Sequence, residues 1–399
     1  MQRLKLLLLL LAALVAHACT WVDWEPTVVL SEGLSLDEVA RMFSELPIGA
    51  EQMQEVLDAV VCSSDNGYDE EYMMCDLFAT PGAGVRASAS QTKAASSYSR
   101  PLKNLIREYL EGRRTTKAGS GAGESMSAEE WIELLSSSDA QIYWPYHENW
   151  DGETLPIITF DPGANISVNT GYEMSVSALG ERTVRKVKVD EKMARERPVW
   201  VINTNDDSSY TSLEMLRRED PSWGGGGDVV VTKAGSDRSV RSLILKDFTM
   251  HRNFDSWFSG ASEFWVRCGT LEGFTASTEA EMRLFTPSVT DFMIVVKRKQ
   301  LDQAVPFNAV LVSDWTEQVE QFAFMIVEDD GGTRSKWDFD ITVKIQSKSY
   351  GVTVSLPVNV KDDIVWRGGL TSRYFELYSG EVEHFGDVDL TFELRTSGE

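Results

Sequence analysis

Apolar positions along this chain fall into three regimes. An unbroken apolar run, Leu6 to Val15, opens the sequence behind Arg3 and Lys5. From residue 34 to about 140, apolar residues recur three and four apart. Leu36, Val39, Ala40 and Phe43 form one such set, and Met53, Val56, Leu57, Val60 and Val61 a second. Leu102, Leu105, Ile106, Tyr109 and Leu110 form a third, and Trp131, Ile132, Leu134 and Leu135 a fourth. This spacing predicts helices. Ser35 with Glu38, and Ser127 with Glu130, have the capping-box spacing that starts them. Residues 79–100, rich in Ala, Ser and Gly, and the Gly-rich stretch 112–126 read as flexible linkers.

Beyond residue 140 the period shortens. β-prone segments lie at 141–146, 155–160, 183–189 and 199–203, and the glycine run 224–227 precedes another at 229–232. From 238 onward strands are expected near 240–249, 263–268, 291–298, 307–313, 319–328, 339–346 and 351–360, closing with 373–378 and 388–395. Short strands with polar turns at this spacing suggest an antiparallel sandwich. The expected fold is α+β: a small helical region (34–139), an irregular β-rich domain (140–235) and an antiparallel β-sandwich (236–399), with 19–33 as a tether.

The opening run changes this picture. A basic start, an apolar stretch and Ala16-His17-Ala18 before Cys19 have the layout of a secretory signal over residues 1–18. The run is too short to span a bilayer, which takes ~20 apolar residues. Two outcomes fit: a lipid attached at Cys19, or Cys19 as the plain mature N-terminus. A lipid anchor would join the chain to a membrane, and the expected location is a bacterial cell envelope, at the outer membrane, or else the secreted fraction.

Composition narrows the partners. The formal charge of −24 becomes −26 once Arg3 and Lys5 leave, and an acidic surface of that size repels phosphate backbones, so nucleic acid is excluded as a partner. The hydrophobic fraction of 42% suits a globular chain. With Cys19 lipidated, Cys62, Cys75 and Cys268 remain; Cys62–Cys75 is the candidate disulfide, and buried thiols are the alternative.

Several stretches carry a resemblance. Asn66-Gly-Tyr-Asp-Glu-Glu-Tyr72, the aromatic stretch 141–152, Val199-Trp-Val-Ile-Asn203, 291–296, Glu328-Asp-Asp-Gly-Gly332 and Asp362-Asp-Ile-Val-Trp-Arg-Gly-Gly369 are similar to those of a family of Bacteroidota surface lipoproteins. The resemblance implies lipid anchoring and brings no activity or functional residues with it. The C-terminal part also resembles calcium- and phospholipid-binding sandwiches, at the level of fold only.

Three clusters could carry chemistry. Asp329, Asp330, Asp338, Asp340, Asp362 and Asp363 would suit a hard cation such as Ca²⁺, which takes 6–8 oxygen ligands, if the sandwich gathers them at one end. Solvated turns paired to nearby Arg334, Lys336 or Arg367 are the alternative. Tyr143, Trp144, Tyr146 and Trp150 form an aromatic stretch that would stack on a glycan or peptide, or else pack between domains. His147, Glu148 and Asp151 beside it are the only catalytic candidates, as acid and base. Phe254 to Trp265 reads as core and loop of the sandwich, with Asp255 and Glu263 joining a cation site if that loop reaches the Asp-Asp loops.

No zinc-protease HExxH, nucleophile elbow, phosphate loop, CxxC or dinucleotide fingerprint is present. Beyond residue 18 the histidines are His147, His251 and His384, so any histidine chemistry must use these. The expectation is a binding or adhesin-like envelope protein that takes a glycan, a peptide or another envelope protein. The alternatives are a hydrolase with a calcium-supported sandwich, or a structural partner in a surface complex.

Overall fold

A computed structural model describes residues 29–31, 34–79, 98–117, 126–163, 166–177, 181–205, 211–219 and 240–397. The fold is α+β and β-rich, with a sandwich-like C-terminal half. The expected signal segment, Cys19, residues 80–97, 118–125 and 220–239 lie outside the described residues, and with them most of both predicted linkers.

The first half is built on a six-stranded mixed sheet. Its strands are β3 (Glu71–Met73), β4 (Ala140–Tyr143), β5 (Ile157–Phe160), β6 (Val168–Val176), β7 (Arg182–Asp190) and β8 (Val199–Thr204), in the order β3-β4-β8-β5-β6-β7. β1 (Val29–Ser31) and β2 (Leu34–Ser35) form a separate small ribbon. Among the described strands only the β5–β8 pair is parallel.

Side chains along these strands alternate between two cores, as the two-residue period of a strand requires. Ile142, Ile158, Trp200 and Ile202 point to one face, where α1 (Leu36–Glu45), α2 (Ala50–Asp65), α3 (Met74–Phe78), α4 (Leu102–Lys117) and α5 (Ala128–Ser137) cover them. Tyr143, Ile157, Val199 and Val201 point to the other face. The helices and the strands of 140–204 therefore share one core.

Both predicted capping boxes close as expected. Glu38 N donates to Ser35 Oγ at 3.3 Å, and Glu130 N to Ser127 Oγ at 3.1 Å. Residues 112–117, expected in a linker, continue α4 instead.

The second half is a sandwich. One sheet runs β11-β10-β13-β14-β15, with β16 also on β13; the other runs β12-β9-β18-β17. The strands are β9 (Val240–Met250), β10 (Ser262–Thr270), β11 (Ser288–Val296), β12 (Val305–Trp315), β13 (Val319–Glu328), β14 (Arg334–Ile345), β15 (Lys348–Asn359), β16 (Asp363–Thr371), β17 (Val382–Phe385) and β18 (Val388–Ser397). Phe264, Val266 and Cys268 of β10 alternate into the core against Phe248 of β9, Phe324 of β13 and Phe392 of β18.

Two expectations change here. Residues 373–378, read as a strand, form the helix α9 (Ser372–Leu377), because Thr371 Oγ1 accepts from Tyr374 N and Phe375 packs into the core. The shorter helices α6 (Glu191–Glu196), α7 (Leu213–Glu219) and α8 (Glu279–Met282) precede it. The segment opened by Asp362-Asp363, whose aspartates also suited a solvated turn, is the strand β16. Gly368 and Gly369 lie opposite Phe324 and Ala323 of β13. A Cβ at 369 would come within 2.6 Å of the Phe339 ring, so the glycine there marks a close approach rather than a turn.

Two loops of the second half dock on the first, and Leu213 and Arg217 of the first reach the sandwich. The 254–260 loop inserts Trp257 and Phe258 into the uncovered face of the first sheet. Trp257 Nε1 donates to Ser167 O at 3.1 Å, and Asn203 Nδ2 to Phe258 O at 3.0 Å. Gly260 has φ 143°, and a Cβ there would lie 2.9 Å from Asp69 Oδ2, so both conformation and space demand glycine. The 298–300 turn brings Arg298 to Glu191 at 3.0 Å and Lys299 to Glu70 at 2.7 Å.

Candidate functional site

Where these loops meet the first sheet, a cleft of about 370 Å³ opens. Asp69, Glu71, Asp161 and Asn205 line it from the first half, and Asp255, Glu263, Asp330 and Lys361 from the second. Among the described residues no aromatic side chain lines it.

Asp255 and Glu263 of this lining, together with the buried Glu328, can each offer one carboxylate oxygen so that all three lie within 4.8 Å of one another. Local structure explains the convergence. Asp329 N donates to Glu263 O at 2.8 Å, so β10 and the end of β13 run side by side here. Arg298 Nη1 donates to Asp255 O at 3.1 Å and so ties the loop backbone down. Asp255 Oδ2 and Asn205 Oδ1 are buried polar atoms with no protein hydrogen-bond partner.

Burial dominates the electrostatics. It pushes the Asp255 carboxyl up to about 6, against the hydrogen bond to Glu328 and reinforced by the Asp330 charge. It pushes Asp69 up to about 7, with the Glu70 charge adding to it, although Ala261 N and Glu70 N both donate to Asp69. Asp161 is raised for the same reason, and Asp330 by burial with Asp363 and Asp329 beside it. The cleft therefore concentrates carboxyls whose charge water does not dissipate.

The six aspartates expected as one cation site divide. Asp330 lines the cleft, and Asp329 and Asp362 lie next to it. Asp329 accepts from Trp265 Nε1 at 2.8 Å and Asn359 Nδ2 at 3.1 Å, and Asp362 accepts from Asn359 N at 2.8 Å. Asp363 pairs with Glu328 across β16 and β13. Asp338 and Asp340 are elsewhere. They face Ser355 and Thr353 of β15 and accept hydrogen bonds from both, four and six residues along the strand from Asn359. At ~3.3 Å per residue that is roughly 13 and 20 Å away, too far for one ion.

The aromatic stretch is packing, not a binding surface. Tyr143, Trp144 and Tyr146 are buried and Trp150 is half-buried. Trp144 stacks edge-on to Trp150 at 5.7 Å and to Trp200 at 5.9 Å, under the helices. The catalytic candidates beside it do not form an acid–base pair in a cleft. His147 Nδ1 lies 3.3 Å from Glu70, and Lys299 bridges Glu70 and Glu148 at 2.7 and 3.0 Å. That ammonium already balances the carboxylates. Asp151 is held at about 2 by the Thr154 hydroxyl and by the amides of 153 and 154, and organises its own turn. Cys62, Cys75 and Cys268 are thiols, so the candidate Cys62–Cys75 disulfide is not formed; burial pushes Cys268 up to about 12.

The sequence offered Asp255 and Glu263 only conditionally. Asp69, Asp161 and Asn205, which line the cleft, and Glu328, which joins Asp255 and Glu263, gave no signal, because sheet pairing and docking bring them there. Fold and site together define a two-part, β-rich protein with an acidic cleft at the junction of its parts. No family model, curated protein or solved structure matches the chain. Among the described residues no helix is long and apolar enough to cross a membrane.

Proposed function

We propose that this is an exported envelope protein, lipid-anchored at Cys19, that binds a hard divalent cation in the cleft between its two halves and uses it to hold or present a polar ligand. The observation that carries the cation is the Asp255, Glu263 and Glu328 cluster, with one oxygen from each within 4.8 Å. Oxygens on opposite sides of a Ca²⁺ ion, each ~2.4 Å from it, lie about that far apart. Three carboxylates supply up to six oxygens, and Asn205, which lines the same cleft from the first half, carries an unsatisfied Oδ1 of the same acceptor type. The described lining, rich in carboxylates, suits an ion better than a sugar face.

Thermal unfolding after chelation, with and without millimolar Ca²⁺, tests this. At 100 times its dissociation constant the ion adds ~2.7 kcal/mol, a clear rise in midpoint. The rise should shrink sharply in Asp255→Asn and in Glu263→Gln. No rise in the unaltered protein sinks the proposal.

A second reading, a carboxylate-based hydrolase, is favoured by one observation. Asp69 and Asp255 line the same cleft with carboxyls pushed up to about 7 and about 6, the range a general acid needs. Under that reading Asp255→Asn abolishes turnover of a glycoside or ester panel while leaving Ca²⁺ stabilisation intact.

A further inference from the structure

At the far end of the second sandwich sheet, two of the three histidines beyond the signal segment meet. β9 ends at Met250, and His251 N donates to Asp387 O at 2.9 Å, which fixes His251 beside the β17–β18 hairpin. His384 and Asp389 face each other across that hairpin, whose turn places Gly386 at φ 63°. His384 Nδ1 lies 2.6 Å from Asp389 Oδ1, and His251 Nε2 lies 2.9 Å from Asp389 Oδ2. The two rings are 6.0 Å apart, centre to centre.

On this geometry we propose that His251, His384 and Asp389 form a transition-metal site suited to Zn²⁺. One ligand atom from each falls within 4.8 Å of the others. Imidazole nitrogens bind zinc at ~2.0–2.1 Å, and two histidines with one carboxylate make a common three-ligand set that leaves a fourth position for water or a partner's group. The same nitrogens are poor ligands for Ca²⁺, which distinguishes this site from the carboxylate cleft.

A further contact supports the assignment. Asp302 Oδ1 lies 2.8 Å from His251 Nδ1, on the side of the ring away from Asp389. A carboxylate behind a histidine fixes its tautomer and turns the other nitrogen toward the metal. Asp302 is itself held, with φ 58° and its N–H donating to Met250 O at 2.9 Å. It is a positioning residue. Asp387 is occupied by Arg252 at 2.6 Å and is not part of the set. Both rings reach solvent, His251 at 33% and His384 at 68% exposed, so an ion has access.

The test is calorimetric titration of the whole protein with Zn²⁺ in excess Ca²⁺, so that sites made of carboxylates alone are filled. One equivalent of Zn²⁺ should bind. It should be lost in His251→Gln/His384→Gln and weakened roughly 10–100-fold in Asp302→Asn. Zinc should raise the unfolding midpoint of the unaltered protein but not of the double variant. Co²⁺ provides a readout that needs no variant: a four-coordinate site gives intense visible absorption. Absence of Zn²⁺ binding, equal binding by the double variant, or only the pale spectrum of six-coordinate Co²⁺ overturns the proposal.

Discussion

If a cation binds against Asp255, its affinity must depend on pH in a defined way. Burial pushes this carboxyl up to about 6 in the empty cleft, whereas a ligating oxygen must be ionised. Its ionised fraction rises from roughly one tenth at pH 5 to nearly all at pH 7.5. Ca²⁺ affinity should therefore increase about tenfold over that span, about 1.4 kcal/mol, with close to one proton released per ion at pH 5. Isothermal titration at pH 5, 6 and 7.5, repeated in two buffers of different ionisation enthalpy, gives both the affinity and the proton count. Asp255→Asn cannot release that proton, so its residual binding should be flat across this range. An affinity independent of pH in the unaltered protein, or a proton count near zero at pH 5, would show that Asp255 is not a ligand.

Other consequences concern the folded state. Burial pushes Asp69 and Glu55 up to about 7, above the ~4 expected when unfolded; each contributes stability that is full below pH ~4 and is lost as pH rises through about 7. Each should cost about 1.4 kcal/mol per pH unit in that window, so the urea midpoint without Ca²⁺ should be lower at pH 7 than at pH 5, and a flat or rising profile would count against these shifts. Glu191 does not mask the trend: burial opposes it, but hydrogen bonds from Arg298 and Tyr146 hold it at about 2, so its contribution is constant above pH ~5. Trp257→Ala removes a buried indole from the junction of the halves and should cost about 3–5 kcal/mol in urea unfolding; a loss under 1 kcal/mol would mean the loop is not a structural dock. Gly260→Ala should cost about 1–3 kcal/mol, because φ 143° is strained for alanine and Asp69 has to shift; unchanged stability would refute the close approach.

What the sequence made legible was local. The capping boxes at Ser35 and Ser127 close within one turn, so their spacing carries the whole signal. Alternation over 338–345 and 352–356 located β14 and β15, which pair with each other as chain neighbours. Tertiary context decided the failures. Arg373-Tyr-Phe-Glu-Leu-Tyr378 is β-prone in composition, yet a cap at Thr371 and burial of Phe375 make it helical. The sequence likewise does not show that Phe339 will press on Gly369 or Trp366 on Gly368.

The sites were less legible for a related reason. A functional carboxylate looks like any other until packing removes its water, and in a chain with 62 acidic residues the sequence offers no contrast. Asp338 and Asp340 stood out by their spacing, but that spacing only puts them on the solvent side of a hairpin, beside Thr353 and Ser355. Asp255 and Glu328, 73 positions apart, are brought together by the docking loop and the end of β13. Histidine offers the opposite case. Only three occur beyond residue 18, so the meeting of His251 and His384 across strands 133 positions apart is improbable without a structural cause. Asp389 and Asp302 supply that cause as two carboxylates aimed at the rings from different elements. Two exposed histidines gathered by a −24 chain need no metal to stay folded, because each already has a carboxylate. The site therefore adds little to stability when empty, and a change at His384 that leaves unfolding untouched but removes zinc binding would separate its function from its fold.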